Sequence, residues 1–98
     1  MAYSARTQPV RPGDVEGGQL RVPGPAKRLF PRERARIQVE LEGTTKDCRW
    51  DPRMGPDQDR SGVIGIGKAL SAGLALGDEL EITVTDSVYR LANPVGGR

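Results

Sequence analysis

The side chains best equipped for chemistry in this sequence are arginines. Lys27, Arg28, Arg32, Arg34 and Arg36 fall within one short stretch whose single acid is Glu33. A second stretch, 49–60, offers Arg49, Arg53 and Arg60, with Trp50 at its base and Gln58 near its tip. A guanidinium is a planar fork that fits a phosphate or the O6/N7 edge of guanine, and a Gln amide can read adenine. The chemistry these residues predict is recognition of a phosphodiester backbone and of base edges. The competing reading is local pairing: Glu33, Asp51, Asp57 and Asp59 are interleaved with the arginines and could satisfy them.

Residues for catalysis are scarce. The chain has no histidine, which removes the ordinary nucleophile triad, His-liganded zinc and a neutral-pH imidazole base. The single cysteine, Cys48, has no imidazole to activate it and is expected to pack in a strand. Glu40/Glu42 and Glu79/Glu81 are expected on the solvated faces of strands. The segment 62–69, GVIGIGKA, is close to a phosphate-binding loop: Gly62, Gly67 and Lys68 are correctly spaced. Ala69, however, replaces the hydroxyl that would hold magnesium, and Val63, Ile64 and Ile66 favour a buried strand. The segment 57–62, DQDRSG, is close to a calcium loop, with Asp57, Asp59 and Ser61 at ligand positions. The twelfth position, where a bidentate Glu belongs, is Lys68. The expectation is a chain without catalysis, cofactor, metal or small-molecule substrate.

Charge is uneven along the chain. The formal total is +2 over 98 residues, yet residues 1–36 hold eight basic and three acidic side chains, a balance of +5. Such asymmetry points to an anionic partner. One cysteine allows no internal disulfide, and no apolar run is long enough to span a membrane. With no hydrophobic leader at the N-terminus, the expected location is the cytoplasm.

The elements that must position the arginines are short. Aromatics number four and Gly plus Pro number 21, so the core must come from aliphatic residues between many turns. Residues 1–18 are polar and carry Pro9, Pro12, Gly13, Gly17 and Gly18, which predicts a flexible leader. Residues 19–22 predict a first strand. Pro23, Pro25 and Pro31 each remove a ladder donor, which predicts an irregular loop over 23–34. Within that loop Leu29 and Phe30 are expected to tuck under the sheet as an anchor. In 35–43, Ile37, Val39 and Leu41 alternate with polar residues, the period of a half-buried strand. Residues 45–50 are its hairpin partner, and 51–62 form a second loop. A buried strand at 63–67 leads to a helix of about two turns over 68–76, with Gly77 as its cap. Strands follow at 79–86 and 87–92, and 93–98 read as a flexible tail. The sum is one domain over 19–92. It is mainly β, a small open β-barrel of five to seven short strands with one or two short helices.

This order of elements resembles the DNA-binding pseudobarrel. That fold is shared by plant transcription-factor domains of the auxin-response type and by the N-terminal effector domain of EcoRII-type restriction endonucleases. The resemblance covers roughly 19–86. It rests on LFP (29–31) leading into ARIQVEL, on CRW (48–50), on GVIGIGKAL running into a helix, and on the GD of LALGDELEI (74–82) opening a strand. It implies a two-armed grip on the DNA major groove, with the first arm at 27–36 and the second at 49–60. Double-stranded DNA is then the expected partner, and the domain is the recognition part of a restriction or regulatory system, working with another protein or a fused nuclease domain. In this assignment Arg32, Arg34, Arg49 and Arg53 touch phosphates and base edges, Lys27, Arg28 and Arg60 add backbone contacts, and Trp50 braces the second arm. The rival expectation is a protein-interaction or assembly adaptor that does not bind nucleic acid. The discriminator is whether a positive concavity survives local pairing.

Overall fold

A computed structural model describes residues 4–53 and 60–93. Seven strands form one sheet: β1 (Ser4–Arg6), β2 (Gln19–Val22), β3 (Ala35–Leu41), β4 (Thr44–Asp51), β5 (Gly62–Gly65), β6 (Glu81–Thr85) and β7 (Val88–Ala92). Their spatial order is β1-β6-β7-β3-β4-β5-β2. All neighbours are antiparallel except β3 and β7, which run parallel. The sheet curls into a nearly closed barrel. Just past β1, the Gln8 amide donates to the Arg21 carbonyl of β2 at 2.9 Å and bridges the two outer strands. The mainly β expectation, an open barrel with short helices, therefore holds.

Alternation drives this sheet. On β3, Ile37, Val39 and Leu41 point inward and Arg36 and Gln38 outward. On β4, Cys48 and Trp50 point inward and Asp47 and Arg49 outward. Burying one face of each strand fixes register, because a one-residue slip would exchange the faces. Two hairpins help to set it. Leu41 pairs with Thr44 around Glu42 and Gly43 (φ 53° and 79°), and Thr85 pairs with Val88 around Asp86 and Ser87 (φ 51° and 65°). Two successive left-handed residues match the right-handed strand twist.

Residues 4–18 correct the expectation of a flexible leader. They supply β1 and a helix, α1 (Pro12–Gly17), and they bury Thr7, Val10 and Asp14. The prolines and glycines that suggested irregularity act here as helix punctuation. Pro12 opens α1, where a missing N–H costs nothing. Gly18 ends it in the left-handed region (φ 67°), and a Cβ there would meet the Gly67 carbonyl carbon at 2.8 Å. Asp14 is the hub of the segment. Its carboxylate accepts from the Arg11 amide at 3.0 Å, from Gln19 Nε2 at 3.2 Å and from Arg21 Nε at 3.0 Å. Burial pushes its pKa upward, but these hydrogen bonds and the Arg21 charge outweigh burial and hold the group below 3.8.

Two further expectations need correction. The loop over 23–34 contains a 3₁₀ helix at Gly24–Leu29. Its i→i+3 bonds, Ala26 N to Pro23 O and Phe30 N to Lys27 O, need few donors, so the prolines do not obstruct it. The helix of about two turns is shorter: α2 covers Lys68–Ser71. Beyond it Gly73 and Leu74 donate only to carbonyls three residues back, so the coil tightens into turns at the glycine. Leu70 and Leu74 still pack against the core. Of the expected tail at 93–98, residues 94–98 lie outside the described residues.

Candidate functional site

An aromatic stack fixes the base of the first arm. Phe30 lies between Trp50 of β4 (centroids 4.3 Å apart, 21° between planes) and Tyr89 of β7 (4.4 Å, 12°). Both outer rings also hold the chain on either side of Phe30. Trp50 Nε1 donates to the Pro31 carbonyl at 2.8 Å, and the Tyr89 hydroxyl donates to the Leu29 carbonyl at 3.1 Å. The LFP segment is thus a wedge whose ring and two carbonyls are all engaged, and Arg32 and Arg34 start from a fixed point. Burial raises the Tyr89 pKa, as expected for a neutral phenol donor.

The two arms are tied together. Lys27 Nζ donates to the Pro52 carbonyl at 2.8 Å, linking the first arm to the start of the second. Arg53 follows in the left-handed region (φ 52°), and its amide donates to Asp51 Oδ1 at 2.8 Å. Arg53 Nε is buried and has no hydrogen-bond partner among the described residues.

The predicted residues divide into groups. Arg32, Arg34, Arg53 and Arg60 line one groove of about 450 Å³ together with Glu33, Asp51 and Pro52. Among the described residues four cations there face two carboxylates. Arg34 pairs with Asp51 at 3.5 Å, but its side chain remains 84% exposed, so the pair is weak. Arg32, Arg53 and Arg60 make no ion pair among the described residues. Arg36 and Arg49 lie on the outer face of β3 and β4 and line an adjoining groove of about 570 Å³, again with Arg34 and Asp51. Arg36 pairs with Asp47 at 2.8 Å.

Arg28 and Lys27 differ from their expected places. Arg28 points into a separate cleft beside β1, lined by Ala5, Arg6 and Leu29, away from the other arginines. Lys27 is occupied as a tie. Trp50 is 1% exposed, so it braces the arm from beneath and presents nothing to a partner. Gln58 lies outside the described residues, as do Asp57 and Asp59 of the calcium-like loop. What sequence reasoning missed is the floor of the adjoining groove, Gly17, Gln19 and Gly65, which come from segments distant in sequence. Only strand order reveals them.

The other motifs resolve as packing. Gly62 sits inside the barrel because a Cβ there would collide with the Trp50 ring, so its place in the phosphate-loop pattern reflects space for an indole. The strand over 62–65 runs straight into a buried Ile66. Cys48 is buried at 1% exposure, and burial raises its thiol pKa, with Lys46 and Arg36 opposing and Asp47 reinforcing. Glu40 faces outward and pairs with Arg90 at 3.1 Å, and Glu79 lies 4.0 Å from Arg6. Among the described residues no three His, Cys, Asp or Glu side chains gather where a metal ion could sit. No family model, no curated protein and no solved structure matches this chain.

Proposed function

We propose that this domain binds double-stranded DNA through the groove between its two arms. The observation that carries this reading is the groove itself: Arg32, Arg34, Arg53 and Arg60, from two loops tied by Lys27, face one concavity with Glu33 and Asp51 as its acids among the described residues. Among the described residues only Arg34 of these four is ion-paired, and weakly, which favours a positive concavity over the adaptor reading. Arginines on anchored loops suit phosphate and guanine recognition, because their forks are rigid and little entropy is lost on contact. The resemblance to the DNA-binding pseudobarrel agrees, since it assigns contact to these same two arms. On that reading the domain is the recognition part of a restriction or regulatory system, and any chemistry belongs to a partner protein or a fused nuclease domain.

The test is a titration of duplex DNA, unmodified and methylated, across a salt series. Binding is expected at low salt and should weaken linearly in log–log form, with a slope of about −0.9 for each phosphate neutralised. The double variant Arg32→Ala/Arg60→Ala should bind more weakly with a shallower slope. Absence of binding to any duplex at low salt sinks the proposal and returns the grooves to a protein partner.

A further inference from the structure

The strand register lays out a feature that the arms do not explain. Arg36 on β3 is directly opposite Arg49 on β4, Arg49 is opposite Gly65 on β5, and Gly65 is opposite Gln19 on β2. One row across four strands therefore reads Arg, Arg, Gly, Gln on the outer face. Like charges directly opposite each other destabilise a sheet. Asp47 relieves Arg36, but no ion pair among the described residues relieves Arg49. Its neighbour on the other side has no side chain, so the guanidinium stands beside open space. A Cβ placed on Gly65 would approach nothing closer than 4.0 Å, so packing does not require the glycine. This row floors the groove of about 570 Å³ that adjoins the arm groove along the Arg34–Asp51 pair.

We infer that this face is a second phosphate-backbone track, which takes the stretch of the same duplex that runs on beyond the arms. The inference rests on the DNA-binding reading and extends its footprint from the loops onto the sheet. Three strand spacings of about 4.8 Å carry the row about 14 Å, the rise of roughly four base pairs. Arg49 supplies the charge left unpaired among the described residues, since Asp47 offsets Arg36 and the Gln19 amide already donates to Asp14. The bare backbone at Gly65 lets a phosphate approach the sheet closely, as a side chain there would not. Arg34 borders both grooves, so the track is continuous with the arms.

The experiment is a salt-series titration of a labelled duplex of about two helical turns, with the wild-type chain, Arg49→Ala, Arg49→Lys and Arg32→Ala. Arg49 is exposed, so its variants are expected to fold. Arg49→Ala should weaken binding several-fold and make the log–log slope shallower by about 0.9, and Arg49→Lys should restore the slope. If Arg49→Ala leaves affinity and slope unchanged while Arg32→Ala weakens binding, the track is overturned and the arm groove stands. If the wild-type chain binds no duplex at low salt, the DNA-binding reading falls and the track falls with it.

Discussion

Phe30 is the residue on which the first arm depends, and its removal gives the sharpest prediction. The ring is 5% exposed and stacks on both sides, against Trp50 and Tyr89. Truncation of a core Phe to Ala costs about 3–5 kcal/mol, transfer and cavity together. Small domains have about 5–15 kcal/mol in total, so Phe30→Ala should lose a large share of the domain's stability. Phe30→Leu separates the contributions. Leucine keeps most of the apolar volume but loses two aromatic contacts of about 0.5–1.5 kcal/mol each, so its cost should be about 1–3 kcal/mol. For a domain of this size that is a fall in Tm of roughly 4–24 °C, at about 4–8 °C per kcal/mol. Urea denaturation followed through Trp50 fluorescence measures both variants. The slope against urea should stay constant if only native packing changes. A cost below about 1 kcal/mol for Phe30→Ala would refute the wedge, because the ring could then not be what holds Leu29–Pro31 in place.

Other outcomes follow from single contacts. Lys27→Met removes the tie to Pro52 and should lower stability by about 1 kcal/mol; duplex affinity should drop with no change in salt slope, whereas a slope shallower by about 0.9 would show Lys27 touching phosphate instead. Asp51→Asn keeps the Oδ1 acceptor for the Arg53 amide but removes a negative charge from the groove. At about 7 Å in water that charge is worth roughly 0.6 kcal/mol, so affinity for duplex should rise about threefold, and a fall would contradict the groove assignment. Asp14 has a folded pKa below its ordinary value, so its stabilisation is full above about pH 4 and is lost as pH falls through the lower folded value. Asp14→Asn should therefore flatten the acid limb of stability against pH, and identical acid limbs in variant and wild type would count against the hub.

How much of this was legible in the sequence varies with the range of the interaction. Period-two alternation in Ile37, Val39 and Leu41, and again along β6, fixed which side chains face the core, because a strand's faces are a local property. The Leu29–Phe30 anchor was legible for the same reason: two large apolar residues inside a charged, Pro-rich loop have to be buried. The concentration of positive charge in the first arm was plain from counting. Order in residues 4–18 was not legible. Their Pro and Gly content signals breaks in structure, and only the Asp14–Arg21 pairing and the strand contact with β6 show what those breaks separate.

For the candidate site the division falls at the same place. Residue type and spacing determined that the chemistry is that of arginine, and that no histidine or second cysteine competes with it. Tertiary structure decided which arginines lie together. Arg32, Arg34, Arg53 and Arg60 converge because Lys27 reaches the Pro52 carbonyl across a sequence gap of 25 residues, and Arg28 is turned away by the 3₁₀ helix that carries it. The row Arg36–Arg49–Gly65–Gln19 exists only through hydrogen-bonded register across four strands. Pairing between distant segments is set by the packing of the whole barrel, and no local pattern of residues encodes it.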